Sequence, residues 1–341
     1  MIVLFMFLSG LIAALLLTPA SKWLASLVGA IDDPGELKVH EKAIPRFGGS
    51  ALWAATMLPC VVGIFVVRPQ IELRSLLPVI GGSTLMWLLG ALEDAVGIAA
   101  RVRFGVGMLL AAAAAVAVVS GVHGGIEVIV ICMAALWLLG CANAMNMLDG
   151  LDGLAAGVSA IAAAGIGVVA LLAGNVGCAV LTFALSGACL GFLRCNFRPA
   201  CTFMGDGGSL FLGFTLAASV CMLSHGAPGK PAIPLVLGTI IALSVPVGDM
   251  LLAMLRRLLN HTSPFEGDRS HCYDQLRDRF GFSVVKAVLT MYAVAAVFAL
   301  LGVGISRLTP GQAWIAAVGV VVLAAGGLLS GGFLRRGTDE R

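Results

Sequence analysis

Apolar residues run in long blocks along this chain, and charged residues are confined to short intervals between them. The uncharged stretches are Met1–Ser21, Phe47–Val67, Ser75–Leu92, Phe104–Gly125, Val128–Leu148, Gly153–Leu193, Gly207–Gly229, Pro231–Gly248, Ala287–Ser306 and Leu308–Leu334. A transmembrane α-helix needs about 20 apolar residues, so most blocks are one span long. Gly153–Leu193 is about twice that, and it carries a turn-like cluster, Ala173-Gly174-Asn175-Val176-Gly177, near its middle. Divided there, the blocks give about eleven helices. They do not alternate apolar and polar residues as barrel strands do, so strands are not expected. The expected fold is all-α: a polytopic transmembrane helical bundle forming a single integral membrane domain over residues 1–341.

Composition agrees, because a chain that is 60% hydrophobic and 11% charged lacks the polar surface a water-exposed shell needs. Met1–Ala20 has no basic start, and its first positive charge, Lys22, follows the apolar run. That favours a retained first helix with its N-terminus outside over a cleaved signal peptide. With eleven spans, 17 of the 21 Lys and Arg then fall in inner segments, leaving Arg68, Arg74, Lys230 and Arg307 outside. This positive-inside bias supports the span count and places the C-terminus in the cytoplasm. The nine cysteines form no Cys-x-x-Cys pair and lie mostly within spans, where they read as small apolar residues.

Polar chemistry collects on one side. Of the 18 carboxylates, only Glu72 and Glu127 fall in outer loops on this topology. A transporter would place carboxylates near the bilayer midplane; here they sit at the inner boundary, which suits an enzyme joining a water-soluble substrate to a lipid head group. Five segments carry twelve of the other sixteen, at 29–49, 92–103, 143–157, 194–209 and 256–276. In the first, Lys38, His40, Lys42 and Arg46 can bind phosphate, or simply anchor two helices at the cytoplasmic face. In the second, Glu93 and Asp94 project about 100° apart on a helix, so one can face the bundle and the other water. In the third, Asn143, Asn146, Asp149 and Asp152 recur every three residues and would form one polar stripe on a helix, able to bind a base, a ribose or a metal.

Asp206, in the fourth segment, stands among glycines where a helix starts. It reads either as an N-cap or as a ligand for a Mg²⁺ bridging a diphosphate. In the fifth, Arg269 and His271 can donate to phosphate or sugar oxygens. Walker, Rossmann, nucleophile-elbow and His-Glu-x-x-His motifs are absent. Gly205-Asp206 is shared with intramembrane aspartyl proteases, but those need a second acid inside a neighbouring span, and Asp149 sits at a boundary.

Taken together, Asn143–Gly157, Phe203-Met204-Gly205-Asp206-x-Gly208-Ser209, and Ser263-Pro264-Phe265 followed by Asp268-Arg269-Ser270-His271 resemble the bacterial polyprenyl-phosphate N-acetylhexosamine-1-phosphate transferases. The resemblance covers essentially the whole chain. It implies transfer of a sugar phosphate from a UDP-sugar to undecaprenyl phosphate in the bacterial inner membrane, with release of UMP and the active site cytoplasmic. The last motif is closer to the N-acetylglucosamine-1-phosphate branch than to the muramyl-pentapeptide branch. The resemblance further implies Mg²⁺, with Mn²⁺ as the alternative ion, held by Asp206 and aided by Asp149. Asp94 and Glu93 would orient the lipid phosphate, and Asp149, Asp152, Asn143 and Asn146 would bind nucleotide. Asn196 and Phe203 would contribute to substrate binding, and Arg269 and His271 would clamp diphosphate and sugar. Expected partners are the UDP-sugar, undecaprenyl phosphate and membrane lipid, with no nucleic acid and with a homodimer left open. The chain departs from the family at Glu93, where an aspartate is usual, and at Cys272-Tyr273-Asp274, where further histidines are common. Those departures bear on the sugar more than on the reaction. A transporter of a lipid-linked or nucleotide sugar is the rival from another class.

Overall fold

The uncharged blocks fold as helices almost one for one in the computed structural model, which describes residues 1–32, 43–66, 71–119, 127–226, 229–261 and 271–334. Lys38, His40, Lys42, Asp268 and Arg269 lie outside the described residues. The helices are α1 (Ile2–Val28), α2 (Gly49–Val66), α3 (Leu73–Val96), α4 (Ala100–Val119), α5 (Glu127–Leu148), α6 (Leu154–Ala173) and α7 (Val176–Asn196). They continue as α8 (Gly205–Met222), α9 (Ala232–Ala242), α10 (Ser244–Leu259), α11 (Cys272–Asp278), α12 (Val284–Ile305) and α13 (Pro310–Ser330). Ten of these are long and apolar enough to cross a membrane, and the bent pair α9–α10 makes up to eleven. The protein is a multi-pass, all-helical membrane protein. Only a two-residue strand pair, β1 (Ile31–Asp32) with β2 (Ile44–Pro45), departs from that description among the described residues.

Helix ends follow local chemistry. The long block divides between α6 and α7, where Gly174 closes α6 in the left-handed region at φ 77°. Asn175 then caps α7 by accepting the Cys178 N–H at 3.0 Å. At the start of α13, Thr309 and Gln312 form a capping box behind Pro310. One block behaves differently from its sequence pattern. Pro231–Gly248 reads as a single span, yet the helix breaks at Leu243 with a bend of 68°. It then runs on to Leu259, carrying Asp249, Arg256 and Arg257 into the basic end of the bundle. Pro246 contributes, since it has no N–H to donate to the Ala242 carbonyl and so continue α9.

Burial ranks the helices. About 89% of the apolar window of α8 is buried and 78% of those of α6 and α7, against 22% for α1 and 11% for α13. α8 is therefore the axis of the bundle, and α1 and α13 show their apolar sides to lipid. Without a hydrophobic drive between helices in lipid, close packing relies on small residues. Gly187 and Gly191, one turn apart on α7, let α1 approach until a Cβ at Gly187 would overlap the Phe7 carbonyl. Gly187→Val is expected to push α1 off α7 and lower the thermal unfolding midpoint in detergent by several degrees. An unchanged melt would contradict this packing.

Candidate active site

The site is assembled around the first turn of α8. The leading amides of a helix have no partner within it, and here Asp94, on α3, supplies one. Its carboxylate accepts the Asp206 N–H at 3.0 Å and the Gly207 N–H at 2.9 Å. A negative charge at a helix N-terminus is also favoured by the helix dipole. Gly205 makes the approach possible: its φ is +69°, and a Cβ there would collide with the Arg46 carbonyl and the Asp94 carboxylate. Arg46 Nε lies 3.6 Å from Asp94 Oδ1, and the Asp94 side chain is buried. Asp206 does not cap its own helix, because Met204 takes that position. The Asp206 side chain is thus left for other work.

That side chain is met from two further helices. Asn146, on α5, donates to Asp206 Oδ1 at 2.9 Å and to the Ser209 hydroxyl at 2.9 Å. Arg103, near the start of α4, donates to Asp206 Oδ2 and, at 3.0 Å, to Glu93 Oε1. Glu93 and Asp94 therefore both turn into the bundle, and neither is a solvated helix end. The reason is Arg103, which draws Glu93 inward while the α8 amides draw Asp94.

The expected helical stripe from Asn143 to Asp152 holds only for its first half. α5 ends at Leu148, and Asp149 and Asp152 lie on the turn that follows, at the two Asp-Gly pairs. Asp152 consequently points elsewhere: it accepts the Ala200 N–H at 3.1 Å and lies 3.5 Å from Arg198. Asp149 has no hydrogen-bond partner for its side chain among the described residues. Burial, and after it the charges of Asp206, Asp94 and Asp152, push its carboxyl up to about 7. The chain has two tyrosines, and both hydroxyls hold this turn. Tyr273 donates to the Met147 carbonyl at 3.1 Å and Tyr292 to the Gly153 carbonyl at 2.5 Å.

His271 is buried beneath the same turn. Its Nδ1 is 2.7 Å from Asp249 Oδ2, Asp249 also accepts the Cys272 N–H at 2.7 Å, and the imidazole stacks on Tyr273 with ring centres 5.3 Å apart. Asn196 is buried and donates to the Thr202 carbonyl at 3.0 Å. The Phe203 N–H donates to the Pro45 carbonyl at 2.8 Å, so this stretch is tied to the segment entering α2. Asn143 donates to the Leu139 carbonyl at 2.9 Å and lines a small pocket, with room for about one water, together with Arg103, Met86, Leu89 and Phe104.

The structure thus brings together Glu93, Asp94, Asn146, Asp149 and Asp206, with Arg46 at the edge. It sets Asp152 on the turn after α5, Asn196 at the end of α7 and His271 beneath. Sequence reasoning passes over Arg103, Asp249, Tyr273 and Tyr292 as site residues. Arg103 carries a signal, a charge just before an apolar block; the tyrosines carry none beyond being rare.

The sequence model of a family described as Glycosyl transferase family 4 matches residues 76–224. The chain is 32% identical over 327 residues to a probable undecaprenyl-phosphate N-acetylglucosaminyl 1-phosphate transferase of Bacillus subtilis, covering 89% of this chain and 85% of that one. It is 35% identical over 373 residues to a decaprenyl-phosphate N-acetylglucosaminephosphotransferase of Mycolicibacterium smegmatis, covering 97% and 89%. It is 30% identical over 298 residues to an undecaprenyl-phosphate alpha-N-acetylglucosaminyl 1-phosphate transferase of Escherichia coli K12, covering 82% and 77%.

Tyr273→Phe and Tyr292→Phe each remove one tether of the Asp149 turn and are expected to cost about 1 kcal/mol apiece. Thermal unfolding in detergent should show a lower midpoint for each and a further drop for the pair. A double variant that melts like the parent would contradict the assignment.

Proposed function

Because the chain belongs to glycosyl transferase family 4, we propose that it transfers N-acetylglucosamine 1-phosphate from UDP-N-acetylglucosamine to undecaprenyl phosphate, releasing UMP and starting a lipid-linked cell-envelope glycan. The observation that carries this reading is the meeting of Asp94, Asp149 and Asp206, from three distant stretches of chain, beside Arg103. The basic bias of the inner segments supports a site facing the cytoplasm of a bacterial inner membrane.

The residues fit a Mg²⁺. Among the described residues no three or more His, Cys, Asp or Glu stand together as a ready cage, and Mg²⁺ needs only one or two carboxylates beside phosphate oxygens and water. Asp206 and Asp149 would hold it. Asp149 is the natural partner because its carboxylate is unengaged and crowded by like charge, a tension that a cation relieves. When bound, the ion neutralises the diphosphate, the main requirement in phosphoryl transfer.

The protein's own groups do the rest by position. Asp94, occupied with the α8 amides, fixes Asp206; Asn146 fixes the rotamer of Asp206 from the other side. Arg103 has five donors and lies between Glu93 and Asp206, so it can turn remaining N–H groups to a phosphate oxygen. The phosphate of the lipid carrier would sit at this guanidinium. An oxygen of that phosphate attacks the β-phosphorus of the UDP-sugar. A P–O bond forms, the bond to UMP breaks, and UMP leaves with the electron pair. A phosphate monoester is mostly dianionic at neutral pH, since its second pKa is about 6, so no strong base is needed.

Purified protein in detergent, given UDP-N-acetylglucosamine, undecaprenyl phosphate and Mg²⁺, should release UMP, whereas a transporter has no vectorial work left to show. Asp206→Asn should lower this release by about two orders of magnitude or more while the protein still inserts and melts normally. Near-parental turnover would refute the role of Asp206. A preference for UDP-N-acetylmuramyl-pentapeptide in the same assay would move the chain to the other branch.

The carboxyl of Asp149 gives a sign to pH dependence. Below about 7 it holds its proton and is a poor ligand; above that it is anionic. Mg²⁺ affinity, measured by calorimetry, should therefore rise from pH 6 to pH 8, and much less so in Asp149→Asn. Equal pH slopes in the two proteins would remove Asp149 from the ion's shell.

A further inference from the structure

The nine cysteines look scattered along the sequence, but the fold pairs two of them at the end of the bundle that carries the site. Cys195 closes α7, and Cys201 lies on the loop that runs from α7 to the head of α8. The Cys201 N–H donates to the Cys195 carbonyl at 2.8 Å, which folds the loop back on itself. The two side chains lie within interaction range of each other. Cys201 is exposed, Cys195 is partly so, and Lys22 Nζ, from α1, lies 3.4 Å from Cys201 Sγ. Five others, Cys60, Cys141, Cys178, Cys189 and Cys221, are buried among apolar helices.

We propose that Cys201 and Cys195 form a reversible thiol-oxidation site, with Cys201 reacting first with a peroxide and Cys195 resolving it to an intramolecular disulfide. Oxidation-sensitive cysteines are accessible, lie beside a positive charge and have a second thiol within reach; this pair meets all three conditions. The Cys201 sulfur attacks one oxygen of the peroxide, the O–O bond breaks, and water leaves, giving a sulfenic acid. The Cys195 sulfur then attacks the Cys201 sulfur, an S–S bond forms, and a second water departs. Two thiols lose two hydrogens, and one peroxide is reduced to two waters. The crosslink would staple the loop whose Arg198 and Ala200 hold Asp152, tying the redox state of the membrane face to the surroundings of the site.

The test uses the full-length protein in detergent, treated with hydrogen peroxide, alkylated and mapped by mass spectrometry. The expected product is a Cys195–Cys201 linked peptide lacking two hydrogens, reversed by dithiothreitol, with the five buried thiols still alkylated after denaturation. Cys195→Ser should leave Cys201 as a sulfenic acid that dimedone traps, and Lys22→Gln should slow its formation severalfold. The proposal is overturned if Cys201 stays reduced while Cys132 or Cys272 oxidises, or if the disulfide joins two molecules. It is also overturned if Cys195→Ser shows no trapped sulfenic acid at Cys201.

Discussion

The hydrogen bonds from the Asp206 and Gly207 amides to Asp94 are the contact on which the rest of the site depends. They join the C-terminal end of α3 to the head of α8, the most buried helix of the bundle. An uncapped helix start in a low-dielectric interior would leave donors unsatisfied, at a cost of about 1–3 kcal/mol for each. Asp94 removes that cost and in doing so fixes where the Asp206 side chain emerges. Gly205 is the matching concession in the backbone, since the left-handed turn that brings α8 against Asp94 leaves no room for a side chain.

A second layer of restraint keeps Asp149 opposite Asp206. The turn after α5 is glycine-rich and would wander if left alone, but Tyr273 and Tyr292 grip it from α11 and α12. Tyr273 stacks in turn on His271, which Asp249 holds from α10 just beyond the bend in the α9–α10 pair. The carboxylates are thus pressed together by elements that each have their own reason to be there. Like charges held close in a partly desolvated pocket are unfavourable, and Arg103 offsets only part of that. The remaining imbalance is what the proposed Mg²⁺ would relieve.

Much of this is legible in the sequence because a membrane leaves few choices. Blocks of about 20 apolar residues can only be spans, and Gly174-Asn175 marks a break with ordinary turn chemistry. The acids stand out for the same reason, since an apolar chain has no structural use for most of them. What the sequence misleads on is local. The three-residue spacing from Asn143 to Asp152 looks helical, yet Asp149-Gly150 and Asp152-Gly153 are turn signals, and the turn wins. Likewise Gly248 seems to end a span because charges follow it, whereas α10 continues with Asp249, Arg256 and Arg257 buried. Cross-chain partners leave no local pattern at all: nothing near Tyr292 announces that its hydroxyl reaches Gly153.

Hydrogen exchange of the Asp206 and Gly207 amides in Asp94→Ala tests the central contact most directly. Loss of protection confined to the first turn of α8, with the rest of that helix still protected, is the predicted result. Protection equal to the parent protein at both amides would contradict the account, because α8 would then hold its head in place without Asp94.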